Sequence, residues 1–101
     1  MMKDNNKEWN KSIIHTEEMP KGVEVEPNKT KWSKEDISKH IGSKNYNIVD
    51  LRLNNACLVF DKNSVGFVNI TCTMMLMAFS DEKNQKIIYG NCLLTNRNYI
   101  Q

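Results

Sequence analysis

The run Trp32-Ser33-Lys34-Glu35-Asp36-Ile37-Ser38-Lys39-His40-Ile41-Gly42 carries its own start and stop signals. Ser33 is a good N-cap, because its hydroxyl can accept a first-turn N–H that has no partner inside a helix. Asp36 stands three residues on, at the capping-box spacing with Asp in place of Glu or Gln. Glu35 beside it adds a second carboxylate at the positive helix end. Trp32 and Ile37 take the two positions of a hydrophobic staple. Ile37 and Ile41 form one apolar stripe, Lys39 and His40 fall in the last turn, and Gly42 can close the helix in the left-handed conformation. The spacing predicts a helix over 34–41.

Working outward, Val23-Glu24-Val25-Glu26 alternates apolar and polar, the period of a half-buried strand, and Pro27 ends it. On the other side, residues 46–53 alternate again. Val49, Leu51 and Leu53 face one way, Asp50 and Arg52 the other. Asn54-Asn55 can supply a tight turn, since Asn tolerates positive φ. Ala56-Cys57-Leu58-Val59-Phe60 is a continuous apolar run suited to a central strand covered on both faces. The two segments are expected to form a hairpin.

Residues 65–79 read two ways. Val65 to Val68 and Ile70 to Thr73 are β-branched enough for a strand. Met74-Met75-Leu76-Met77-Ala78 favours helix, and Asn69 can cap one. A helix over 70–79 is the expectation, with an inner stripe of Ile70, Thr73, Met74, Met77 and Ala78. Its apolar residues run nearly all the way round, so burial on two sides is expected, by the sheet and by a second subunit. Ile87-Ile88-Tyr89 and Cys92-Leu93-Leu94 read as one last strand, interrupted by a bulge at Gly90-Asn91. The order is βαββαβ. It implies an α+β domain over 21–101, with a four-stranded, mostly antiparallel sheet and both helices on one face. Residues 1–20 are mainly polar and read as a flexible arm, in which Trp9 stands out as a docking residue for the body or for a partner.

The chain has 101 residues, 40% hydrophobic and 26% charged, with a formal net charge of +2. That suits one domain with one core and argues against disorder along the whole chain. Residues 1–50 carry nine Lys against nine acids, so neither end is a charged tail. Arg52 and Arg97 are the only Arg, too few for a protein that reads bases by bidentate contacts. Sequence-specific nucleic-acid binding is therefore disfavoured. Three Cys are too few, and odd, for a disulfide framework. No apolar run approaches the ~20 residues of a spanning helix. The expectation is a cytoplasmic protein with reduced Cys57, Cys72 and Cys92.

Catalytic and metal chemistry lack parts. No two Cys stand at ligand spacing, and His15 and His40 are far apart in sequence. The carboxylate pairs Glu17-Glu18 and Asp81-Glu82 read as surface charge, and Glu35-Asp36 as helix capping. Neither a cofactor nor a metal is expected, nor an enzyme. Binding has better candidates. Lys29, Lys31, Trp32 and Lys34 offer ammonium groups, an aromatic face and a helix N-terminus, the equipment of an anion or nucleotide site. The plainer assignment makes Trp32 a staple, Ser33 a cap and the lysines a solvated loop. Tyr89 and Asn91, flanking Gly90, are a second candidate, against a plain reading as a strand with a bulge.

From Val23 onward the layout resembles an uncharacterised family of small domains carried by phages, plasmids and integrative elements, a domain of unknown function. The resemblance lies in Val25-Glu26-Pro27-Asn28-Lys29, the helix end Ile41-Gly42, Cys57-Leu58-Val59-Phe60-Asp61, Asn69 before an apolar helix, and Ile87-Ile88-Tyr89-Gly90-Asn91-Cys92-Leu93-Leu94. It covers about three quarters of the chain. The Trp9 segment lies outside it, and the family's Gly-x-Pro before the Asn is replaced by Gly66-Phe67-Val68. The resemblance implies an accessory gene of a mobile element in a bacterial cytoplasm. In that context two functions are expected: stoichiometric inhibition of a host defence protein, or sequestration of a small signalling nucleotide.

Overall fold

The computed structural model describes residues 8–16, 19–63, 66–81 and 87–101. Its elements are β1 (Ile13–Thr16), β2 (Met19–Glu24), α1 (Lys34–Ile41), β3 (Tyr46–Asp50), β4 (Ala56–Asp61), α2 (Ile70–Phe79) and β5 (Cys92–Asn96), followed by a 3-10 turn, Arg97–Tyr99. The α+β class holds, but the sheet has five strands rather than four. Its order is β2-β1-β5-β4-β3, and every neighbouring pair is antiparallel.

The extra strand comes from the segment expected to be an arm. β1 pairs with β5 through Ile13↔Leu94, Ile14↔Leu93 and His15↔Cys92. Every residue of β5 is buried. A buried strand must pair its backbone groups on both edges, and β4 serves only one of them. β1 supplies the second partner, and β2 then takes the outer edge, ending at Glu24 before Pro27. The strand expected at Val23–Glu26 is thus β2, Met19–Glu24. At Gly22, φ is +75°, and a Cβ there would come within 2.6 Å of Ile13 Cγ2 and 2.8 Å of the His15 ring. Only glycine fits this close crossing of β1 and β2.

The helices lie on opposite faces of the sheet, not on one. Strand alternation divides the core. Ala56, Leu58 and Phe60 of β4, with Cys92 and Leu94 of β5, pack with Cys72 and Leu76 of α2. Cys57, Val59 and Leu93 face the other way and pack with Trp32, Ile37 and Ile41 beside α1. The continuous apolar run of β4 follows from this double coverage.

α1 forms as its sequence predicts. Ser33 accepts from Asp36 N–H, and Gly42, at φ 83°, donates to Ser38 O. The Asp36 carboxylate does not turn back to Ser33. It accepts instead from the backbone N–H and the side-chain amide of Asn28. The β3–β4 hairpin turns through Asn54 and Asn55, both at positive φ.

α2 spans the expected residues, and Asn69 caps it by accepting from Cys72 N–H at 3.1 Å. Its buried stripe is the opposite of the expected one: Cys72 and Leu76 are inside, with Met75 and Phe79 packed beside them. Ile70, Met74 and Met77 face outward. A helix apolar all round has no preferred side, so capping contacts settle its rotation. The Asn69 amide donates to His15 O and Gly90 O, which ties the helix start to the sheet.

The last strand is shorter than expected. Gly90, at φ 79°, breaks it, and Ile87-Ile88-Tyr89 leaves the sheet. Tyr89 bridges to Val68, Ile88 O accepts from Asn69 N–H, and Gly90 N–H donates to Phe67 O.

Candidate functional site

The residues named from sequence do not converge. Trp32 is completely buried. Its backbone N–H donates to Tyr99 O, its carbonyl accepts from Gln101 N–H, and its indole N–H donates to Ser12 Oγ at 3.3 Å. His40 stands edge-on to its ring at 5.2 Å. The ring offers no face to a ligand, so the expected platform for a base is a core residue. Lys29 and Lys31 are exposed on the preceding loop, while Lys34 opens onto a different groove beside α1.

Trp9 docks on the body. It packs against the core on the α2 side, its backbone N–H donates to Asn54 O, and its carbonyl accepts from the Asn96 amide at 2.6 Å. Asn96 is a buried hub. Its amide also donates to Glu8, and its side-chain oxygen accepts from Asn55 and from Asn98 N–H. The amide of Asn91 donates to His40 O at the end of α1, and Tyr89 is half-buried at its bridge to Val68.

Burial favours the neutral forms of three groups inside the fold, Cys57, Cys92 and His15. Burial pushes the Cys57 thiol up to about 12. Burial also raises Cys92, and the hydrogen bond its thiol shares with Cys72 as donor adds to it. Protonated thiols of this kind are poor nucleophiles and poor metal ligands. His15 is buried at 5% exposure, neither ring nitrogen has a partner among the described residues, and burial lowers its pKa. No group of His, Cys, Asp and Glu among the described residues is placed to hold a metal ion. No described helix is long and apolar enough to cross a membrane.

Two surfaces stand out, one on each face of the sheet. On the α2 side, Ile70, Met74 and Met77 are 67%, 64% and 50% exposed, and Val68 and Ile87 are exposed as well. The spacing of 70, 74 and 77 places all three on one helix face. α2 contains no charged residue, so no charge interrupts the apolar surface along it. On the α1 side, a groove of about 850 Å³ lies between α1, residues 42–46 and Lys62. Lys34, Lys39, Lys44 and Lys62 line it, with Glu35 as its one acid.

Sequence alone resolves neither surface, although the Met-rich run 74–77 reads as a soft interaction surface second to core packing. Ile70, Met74 and Met77 were assigned to the core because apolar side chains usually go there. Lys44 and Lys62 are distant in sequence, but the hairpin pairs Tyr46 with Asp61 and joins Lys62 N–H to Asn45 O. The hairpin register was the signal that could have brought them together. Comparison with family models, curated proteins and solved structures gives no match to this chain.

Proposed function

We propose that this chain is a non-enzymatic binding protein that holds a partner protein stoichiometrically against the outer face of α2. The observation that carries this reading is the exposed, uncharged row Ile70, Met74 and Met77. Contiguous exposed apolar surface is costly to leave in water, and it is a recurrent mark of protein interaction sites. Methionine suits such a face, because its flexible thioether adapts to the surface it meets. The partner chemistry that fits is an apolar recess without buried charge. The mobile-element resemblance makes that partner a host protein, a defence component, and the action inhibition by capping.

The test is site-specific photo-crosslinking from position 74 in the host cell, with position 31 as a control on the other side of the chain. The expected result is one distinct protein joined at a one-to-one ratio from position 74 alone, and lost when Ile70→Lys is added. Crosslinks only between copies of this chain would make the face a homo-oligomer interface and overturn the reading. Equal crosslinking from both positions would also count against it. A second reading, sequestration of a small anionic ligand, is favoured by the lysine-lined groove beside α1.

A further inference from the structure

We infer that the groove between α1 and the β3–β4 hairpin binds a small molecule bearing two or more phosphate groups, of the nucleoside di- or triphosphate class. This rests on the anionic-ligand reading and deepens it, because it moves the site away from Lys29, Lys31 and Trp32 and names the ligand chemistry.

Local charge is the first argument. The chain as a whole is nearly balanced, at +2, yet the groove gathers Lys34, Lys39, Lys44 and Lys62 around the single acid Glu35. None of these lysines forms an ion pair among the described residues; the two salt bridges there belong to Arg52 with Asp81 and Arg97 with Asp50. Like charges gathered along one open groove repel one another, modestly because these side chains are exposed. A multivalent anion relieves the repulsion.

Lysine without arginine sets how the groove can recognise an anion. The guanidinium fork pairs bidentately with carboxylate and phosphate alike, and both guanidiniums of the chain are engaged elsewhere, so the groove recognises charge through ammonium groups alone. Ammonium groups act as point charges, and they suit the spread charge of a phosphate chain. The volume, about 850 Å³, lies within the range of small-molecule sites, roughly 300–1,000 Å³. Four lysines around one recess form a pocket rather than the long basic track that a nucleic-acid backbone needs. The half-buried Tyr46 and the hydroxyl of Ser38 add a ring and a polar group to the lining, as a nucleoside would require.

The fold holds these groups independently of any ligand. Lys34, Ser38 and Lys39 project from a helix capped at both ends. Asn45 N–H donates to Ser43 Oγ, which keeps the connection to β3 in a tight turn. Lys62 is held beside Asn45 by its backbone bond at 3.0 Å.

The test is thermal unfolding with ATP, inorganic pyrophosphate, citrate, sulfate at matched ionic strength, and a short single-stranded oligonucleotide. ATP and pyrophosphate are expected to raise the melting temperature in a dose-dependent way, since a ligand of the folded state stabilises it by mass action. The double variant Lys39→Gln, Lys44→Gln should weaken binding by about tenfold or more while its ligand-free melting temperature stays unchanged, and Lys31→Gln should bind as the wild type does. If neither ATP nor pyrophosphate shifts the melting temperature, the inference falls. A shift with citrate alone leaves the anion reading standing and rejects the phosphate class. An equal shift with sulfate marks a nonspecific ion effect, and a shift with the oligonucleotide alone marks a nucleic-acid surface. Either of these also overturns the inference.

Discussion

α1 and α2 cover opposite faces of one sheet, and they are built on different rules. α1 is short, capped at both ends, acidic in its first turn and basic in its last, and it buries Ile37 and Ile41. α2 is longer and uncharged; it fully buries Cys72 and Leu76, packs Met75 and Phe79 beside them, and leaves Ile70, Met74 and Met77 facing water. The first helix meets the requirements of the fold with little to spare. The second carries apolar surface that the fold does not use. The contrast is why we propose the interaction face on α2, where packing does not explain the residues present.

The comparison breaks most sharply at Trp32. On the α1 side everything converges on this fully buried ring, so Trp32→Ala should cost about 3–5 kcal/mol of stability, read by chemical denaturation. A cost near zero would mean the α1 layer is not packed as described. The two N-caps give a finer test. Ser33 makes one capping bond, whereas Asn69 accepts from Cys72 N–H and donates to His15 O and Gly90 O. Ser33→Ala should therefore cost about 1 kcal/mol and Asn69→Ala about 2–3 kcal/mol. Equal costs would show that Asn69 does not anchor α2 to the sheet.

Much of this fold could be read from sequence wherever the cause is local. The limits of α1 follow from Ser33 and Gly42, and the hairpin follows from alternation around Asn54-Asn55. What could not be read depends on distant partners. Ile13 to Thr16 is a strand because β5 needs a neighbour, and nothing within those four residues announces it. The rotation of α2 was hidden because every side of it is apolar; a buried amide, Asn69, sets it from outside the helix. The same distinction governs the candidate site. Lys34 is legible because it ends the continuous run 28–34 at the start of α1, whereas Lys62 joins Lys39 and Lys44 only through the hairpin register.

His15 carries the comparison into pH. It lies in β1 beneath the start of α2, and burial lowers its pKa below the ordinary value of 6.5. As pH falls through 6.5, the unfolded chain takes up a proton at this residue that the folded chain resists, so stability falls. The decline continues until the folded His15 itself protonates, and above 6.5 the residue contributes no slope. His15→Leu should flatten this part of the stability–pH curve, measured by urea unfolding between pH 7.5 and 5 on the order of the ordinary His range. An unchanged slope would place its origin elsewhere.

The smallest effect is expected where function is proposed. Met74→Lys changes an exposed side chain, so stability should move by no more than about 0.5 kcal/mol. A larger loss would mean that Met74 is packed, and the contrast between the two helices would weaken.

The central claim is that the outer face of α2 exists for another protein. Native mass measurement of the protein purified from its host background tests it most directly, with wild type and Met74→Lys in parallel. The account expects the wild type to carry one foreign polypeptide per chain and the variant to carry none, with both chains folded. A wild-type chain that is bare, or that assembles only with copies of itself, would contradict it.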